Sequence, residues 1–93
     1  LFRSNIFEIY IICWKPGQQS TLHSHPKNGC LMKVLEGSLI EERYGVHKEK
    51  INRYCKGNIS FIKHDTHIIK NDSIIKNLVT LHIYSPPNFY KKK

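Results

Sequence analysis

Ninety-three residues with a formal net charge of +8 allow one domain, whose single core removes roughly two-thirds of the surface that the unfolded chain exposes. No run of about 20 apolar residues is present to cross a membrane, and nothing reads as a secretory leader. The basic balance invites phosphate attraction, but the lysines are scattered over expected loops and Lys91, Lys92 and Lys93 end the chain, with no aromatic-basic alternation to stack bases.

A solvated surface and a disordered basic tail over residues 88–93 are therefore expected, with residues 1–87 as the domain and neither nucleic acid nor membrane as partner. The three cysteines, Cys13, Cys30 and Cys55, are odd in number and form no CxxC pair, the usage of reduced thiols in a cytoplasmic protein. The chain opens on Leu1 beside a strand-like run, so it is expected to be a fragment with further sequence upstream.

In chain order, residues 6–14 (IFEIYIICW) are rich in β-branched and aromatic side chains and predict a deep strand, apolar on both faces. Cys13 within it is expected to pack as a small buried hydrophobe. Pro16 and Gly17 mark a turn, and His23 and His25 follow on a predicted strand. Residues at i and i+2 of a strand leave the same face, so two imidazoles enter one cavity while Ser24 points away. LMKVLEGSLIEERY then predicts a strand, a tight turn at Gly37 and a second strand, as a hairpin. Residues 44–50 (YGVHKEK) predict an exposed loop in which His47 is no ligand, and residues 51–54 a short strand. After a turn at Gly57 comes the strand ISFI, and then two more histidines, His64 and His67. Either imidazole would serve as a third metal ligand. Residues 71–77 are a polar connection, and residues 78–84 (LVTLHIY) the last strand, stopped by Pro86 and Pro87. Alternation puts Thr80, His82 and Tyr84 on one face of it, expected to be wet and functional, and Leu81 and Ile83 on the other, expected to be core.

The spacing carries a resemblance. Gly17, five residues, His23-x-His25, four residues, Cys30, six residues, Gly37 resembles the first signature of the cupin superfamily, with cysteine where many cupins have a glutamate ligand. Gly57, nine residues, His67, three residues, Asn71 resembles the second, with Lys63 and Asp65 replacing its usual proline and glycine. That offset selects His67 over His64. The implied fold is all-β: a small cupin-type (jelly-roll) β-barrel. Together with HIIKN and VTLHIYSPP, the run WKPGQQSTLHSHPKNGCLMKVLEGSLIEERY resembles the cysteine dioxygenase family of thiol dioxygenases. The resemblance implies that His23, His25 and His67 bind Fe(2+), that Cys30 and Tyr84 join in a thioether crosslink, and that His82 hydrogen-bonds to Tyr84. Thr80 stands where the family has a serine, keeping the hydroxyl, and the Ser85–Pro86 bond is expected to be cis. The family's N-terminal helical section lies outside this chain, and so does its substrate-anchoring arginine, so Arg3 is not assigned that role.

Three neutral imidazoles on one face of a six-coordinate iron leave three positions, enough for a chelating substrate and O2. With no carboxylate ligand the ion keeps its full charge and favours an anionic thiolate. The implied reaction is oxidation of L-cysteine by O2 to cysteine sulfinic acid in a monomeric enzyme, the two-oxygen stage of thiol oxidation. The alternatives are a degenerate cupin that binds metal without turnover and a dioxygenase acting on 3-mercaptopropionate; Cys30 favours the cysteine-specific branch.

Overall fold

The computed structural model of the chain describes residues 2–3, 8–22, 29–45, 49–63 and 65–85, with the backbone alone described at 2–3. The strands among them are β1 (Phe2–Arg3), β2 (Glu8–Trp14), β3 (Cys30–Glu36), β4 (Ser38–Tyr44), β5 (Glu49–Cys55), β6 (Ile59–Ile62), β7 (Thr66–Lys70) and β8 (Leu78–Tyr84). They form a five-stranded sheet in the order β1-β2-β8-β3-β6 and a three-stranded sheet in the order β5-β4-β7, antiparallel throughout. The expected all-β barrel is what forms, with the chain passing repeatedly from one sheet to the other as in a jelly roll.

The expected hairpin around Gly37 does not form. β3 pairs with β6 and β8, whereas β4 pairs with β5 and β7, so Gly37 carries the chain between sheets. Its φ of +82° suits glycine alone among common residues, and an added Cβ would stand 2.6 Å from the Asn77 carbonyl oxygen. The hairpin that does form joins β4 to β5. β5 is longer than the short strand expected, because an edge strand can carry Glu49 and Lys50 on an exposed surface and needs no apolar alternation there.

β2 is not deep on both faces. Ile11 is 64% exposed and Cys13 is exposed, against the expectation of a buried thiol, since these positions point outward from the five-stranded sheet. Ile59 and Phe61 of β6 are exposed on the same sheet, and the register aligns Ile11 with Leu81 and Lys33 with Ile59 across it. The assignment for β8 is likewise inverted. Thr80, His82 and Tyr84 are buried while Leu81 and Ile83 are only half-buried, so the polar row faces the barrel interior and the apolar row faces out.

Inside, β4, β7 and β8 change from buried apolar to buried polar residues toward one end of the barrel. Met32, Val34, Leu39, Ile69 and Leu78 pack at one end with Trp14 and Tyr54 against them. Buried Glu8, Cys30, Glu41, His67, His82 and Tyr84 lie toward the other. Asn71, where the second spacing motif ends, holds the connection to β8 together. Its Nδ2 donates to the carbonyls of Trp14 at 3.0 Å and Lys76 at 2.9 Å, and its Oδ1 accepts from the Ser73 amide at 3.2 Å. The motif asparagine is thus a corner brace.

Candidate functional site

The register stacks one row across the polar end: Arg3 opposite Glu8, Glu8 opposite Tyr84, Tyr84 opposite Cys30, and Cys30 opposite Ile62. Directly opposed residues of antiparallel strands share a face and are near neighbours, so the sheet itself brings Cys30 to Tyr84. Both are buried, at 2% and 7% exposure, and pack in one cluster with Ile62. Burial pushes the Cys30 thiol up to about 12, against the pull of Tyr84 and of the Ile83 backbone. At neutral pH it remains protonated.

His82 occupies the next row, opposite Tyr10 and Met32, with its Nδ1 3.9 Å from Cys30 Sγ. Its Nε2 lies 2.7 Å from Thr80 Oγ1, and the Trp14 indole N–H donates to that same oxygen at 2.9 Å. An indole nitrogen can only donate, so Thr80 accepts from Trp14 while the same hydroxyl shares a hydrogen bond with His82 Nε2. Thr80 thus keeps the hydroxyl of the serine it replaces and holds it against the His82 ring.

The third expected ligand projects from the opposite sheet. His67 is 2% exposed, and its Nδ1 is 2.7 Å from Glu41 Oε2 on neighbouring β4. Glu41 is fully buried. Arg43 Nη2 donates to Glu41 Oε1 at 3.2 Å and continues to Ser60 Oγ and the Phe61 carbonyl, both at 3.1 Å, on the other sheet. Burial alone would raise the Glu41 carboxyl, but the His67 hydrogen bond and the Arg43 charge hold it below the ordinary glutamate value. Sequence reasoning overlooked this pair and took the site to have no acidic neighbour. The signal was available in SLIEERY: Leu39, Glu41 and Arg43 share a strand face, and a core leucine commits that face to the interior. Glu8 was also overlooked; it is buried, with its Oε2 accepting from the Tyr10 hydroxyl at 2.9 Å.

His23 and His25, like the rejected candidates His47 and His64 and the Ser85–Pro86 bond, fall outside the described residues. The segment that leads into the histidine pair is nevertheless fastened to the strand carrying His67. The Ser20 amide donates to the Ile69 carbonyl and the Ile69 amide donates to Ser20 Oγ, both at 2.9 Å, and Gln19 forms a bridge with Lys70. Ser20 and Thr21 then line a cavity of about 250 Å³ together with Trp14, Ile69, His82 and Tyr84.

Residues 4–92 match the sequence profile of the family described as cysteine dioxygenase type I. The chain belongs to that family. Among curated relatives, human cysteine dioxygenase type 1 is 32% identical over 91 residues, covering 87% of this chain and 46% of the relative. The chain thus spans about half the length of the curated cysteine dioxygenases it matches. Solved structures agree on the fold. A Klebsiella pneumoniae protein with a double-stranded β-helix domain has a TM-score of 0.81 at 18% identity, over 95% of this chain and 74% of that one. The Schizosaccharomyces pombe Cnp3 cupin domain has a TM-score of 0.80 at 14% identity, over 99% of this chain and 61% of that one. The cupin-type barrel and the cysteine dioxygenase family read from the two spacing motifs are both borne out.

Proposed function

We propose that this chain carries the iron site of a thiol dioxygenase, with His23, His25 and His67 as ligands to Fe(2+), and that it oxidises L-cysteine with O2 to cysteine sulfinic acid. The observation that carries the reading is the fastening of the segment entering His23 to β7, three residues from one candidate ligand and two from another. Neutral imidazoles suit a divalent iron, and with Nδ1 set against Glu41 the His67 ring would bind it through Nε2. Bound there, ferrous iron would supply open positions for a thiolate and for O2, and the electrons to activate it.

The protein's own groups have separable tasks. The cavity of about 250 Å³ is smaller than typical drug-sized pockets, which start near roughly 300 Å³, and suits a substrate the size of one amino acid. Tyr84 reaches its wall beside His82, so its hydroxyl can donate to an oxygen on its way to sulfur. Trp14 and Thr80 hold the His82 ring in place through the threonine hydroxyl. Cys30 stays a thiol and so does not compete as an anionic ligand; it is instead set to join Tyr84 through a carbon–sulfur bond, with loss of two hydrogens to O2 as oxidant. The free state of Cys13, Cys30 and Cys55 supports a reducing compartment such as the cytoplasm.

Loading the chain anaerobically with ferrous iron and then adding cysteine and O2 is expected to yield cysteine sulfinate, both atoms of O2 ending on sulfur. Iron uptake without oxygen consumption would instead establish a metal-binding module. Faster turnover of 3-mercaptopropionate than of cysteine would reassign the substrate. In the same samples, intact mass is expected to fall by two hydrogens after turnover in the wild-type chain and to stay constant in Cys30→Ala. A mass loss that persists in Cys30→Ala would remove Cys30 from the crosslink.

A further inference from the structure

We infer that Glu41, braced by Arg43, is a positioning residue for His67: it accepts the Nδ1–H hydrogen bond and thereby dedicates Nε2 to the metal. The inference deepens the proposed iron site and rests on His67 being one of its ligands.

Three features of the geometry support it. The Nδ1 to Oε2 separation of 2.7 Å is that of a strong, charge-assisted bond, and both side chains are almost completely buried, so water does not compete for either partner. The carboxylate is itself immobilised, because its other oxygen, Oε1, accepts from Arg43 Nη2 at 3.2 Å. Arg43 sits directly opposite His67 in the β4–β7 register and bonds onward to Ser60 and Phe61 of the facing sheet. The arginine thereby offsets a buried negative charge that would otherwise be costly to hold in the barrel, and it fixes the carboxylate with respect to both sheets.

What this does to the imidazole follows from its two nitrogens. The nitrogen that holds a hydrogen-bonded proton is unavailable to a metal, and the remaining one is turned toward it. A carboxylate on the far nitrogen also raises the basicity of the coordinating one, and removing such a partner commonly lowers metal affinity about 10–100-fold. In this chain the acidic residue of the site thus acts from behind the histidine and leaves the ligand set to the imidazoles.

Two measurements test the assignment. Nitrogen–proton correlation spectra of the metal-free chain, labelled at its histidines and recorded above the histidine titration range, are expected to show His67 protonated at Nδ1; its resonances are identified by their absence from His67→Ala. Protonation at Nε2 would overturn the inference, and this readout needs no change at Glu41. Titration with cobalt(II), followed by visible absorption, is expected to give about 10–100-fold weaker binding in Glu41→Leu. Glu41→Gln keeps an acceptor oxygen and is expected to recover most of that loss. Equal affinity of Glu41→Leu and wild type would overturn the inference. So would a complete loss in Glu41→Gln matching that of His67→Ala, since Glu41 would then be a ligand itself. A wild-type chain that takes up no cobalt would sink the iron reading, while the tautomer spectrum would still decide whether Glu41 orients His67.

Discussion

His67→Ala is expected to lose retention of ferrous iron, by more than the 10–100-fold typical of removing a partner behind a ligand, and with it sulfinate formation. The substitution removes the one candidate ligand among the described residues, and it also strips Glu41 of its closest partner at 2.7 Å. A buried carboxylate left with Arg43 alone costs about 1–3 kcal/mol of stability, so the metal-free variant should also unfold more readily. Iron content after desalting and denaturant melts of the metal-free chains measure the two effects separately. His64→Ala serves as the comparison and is expected to keep its iron. If His64→Ala emptied the site and His67→Ala did not, the third ligand would be His64 and the motif offset would have misled.

Gly37→Ala is expected to be among the most destabilising single-methyl changes in the chain. A left-handed backbone costs a non-glycine residue about 1–2 kcal/mol. The new Cβ would also meet the Asn77 carbonyl oxygen at 2.6 Å and Leu78 Cα at 3.2 Å, and main-chain atoms do not step aside as a flexible side-chain tip does. Displacing them adds roughly 1–3 kcal/mol. For a domain of this size a sum of about 2–5 kcal/mol lowers Tm by roughly 8–40 °C. Gly57→Ala isolates the first contribution, since φ there is +90° and an added Cβ meets nothing within 4 Å. Equal losses in the two variants, read by thermal melts, would show that the close approach to Asn77 contributes nothing. Function is tied to this corner as well. Leu78 starts β8, which carries Thr80, His82 and Tyr84, so any relief of the clash shifts the row that faces the cavity.

Much of the site was legible because its chemistry is written at fixed short spacings. The bounds of β8 at residues 78–84 and the shared face of Thr80, His82 and Tyr84 follow from local order, and the proposal of His67 as a ligand rests on its offset from Gly57. The Cys30–Tyr84 approach was not legible, since it depends on β3 lying beside β8 across 54 residues of chain, a register that only the folded sheet contains. Glu41 was missed for a related reason. Alternation along SLIEERY groups Leu39, Glu41 and Arg43 on one face, but that this face is the interior one is shown by the burial of Leu39 and Glu41.

The chain's own order of residues determined the element types, most strand limits and the family, because alternation, glycine corners and histidine spacing are properties of neighbours along the backbone. Pairing and sidedness were decided by the tertiary structure. Alternation states which side chains travel together on a strand but not which of its two faces meets the other sheet. The polar face of β8 therefore turned inward, and the expected hairpin at Gly37 became a passage between sheets. Closing two sheets into a barrel leaves one enclosed space, and the residues that need partners are satisfied only where strands from both sides supply them.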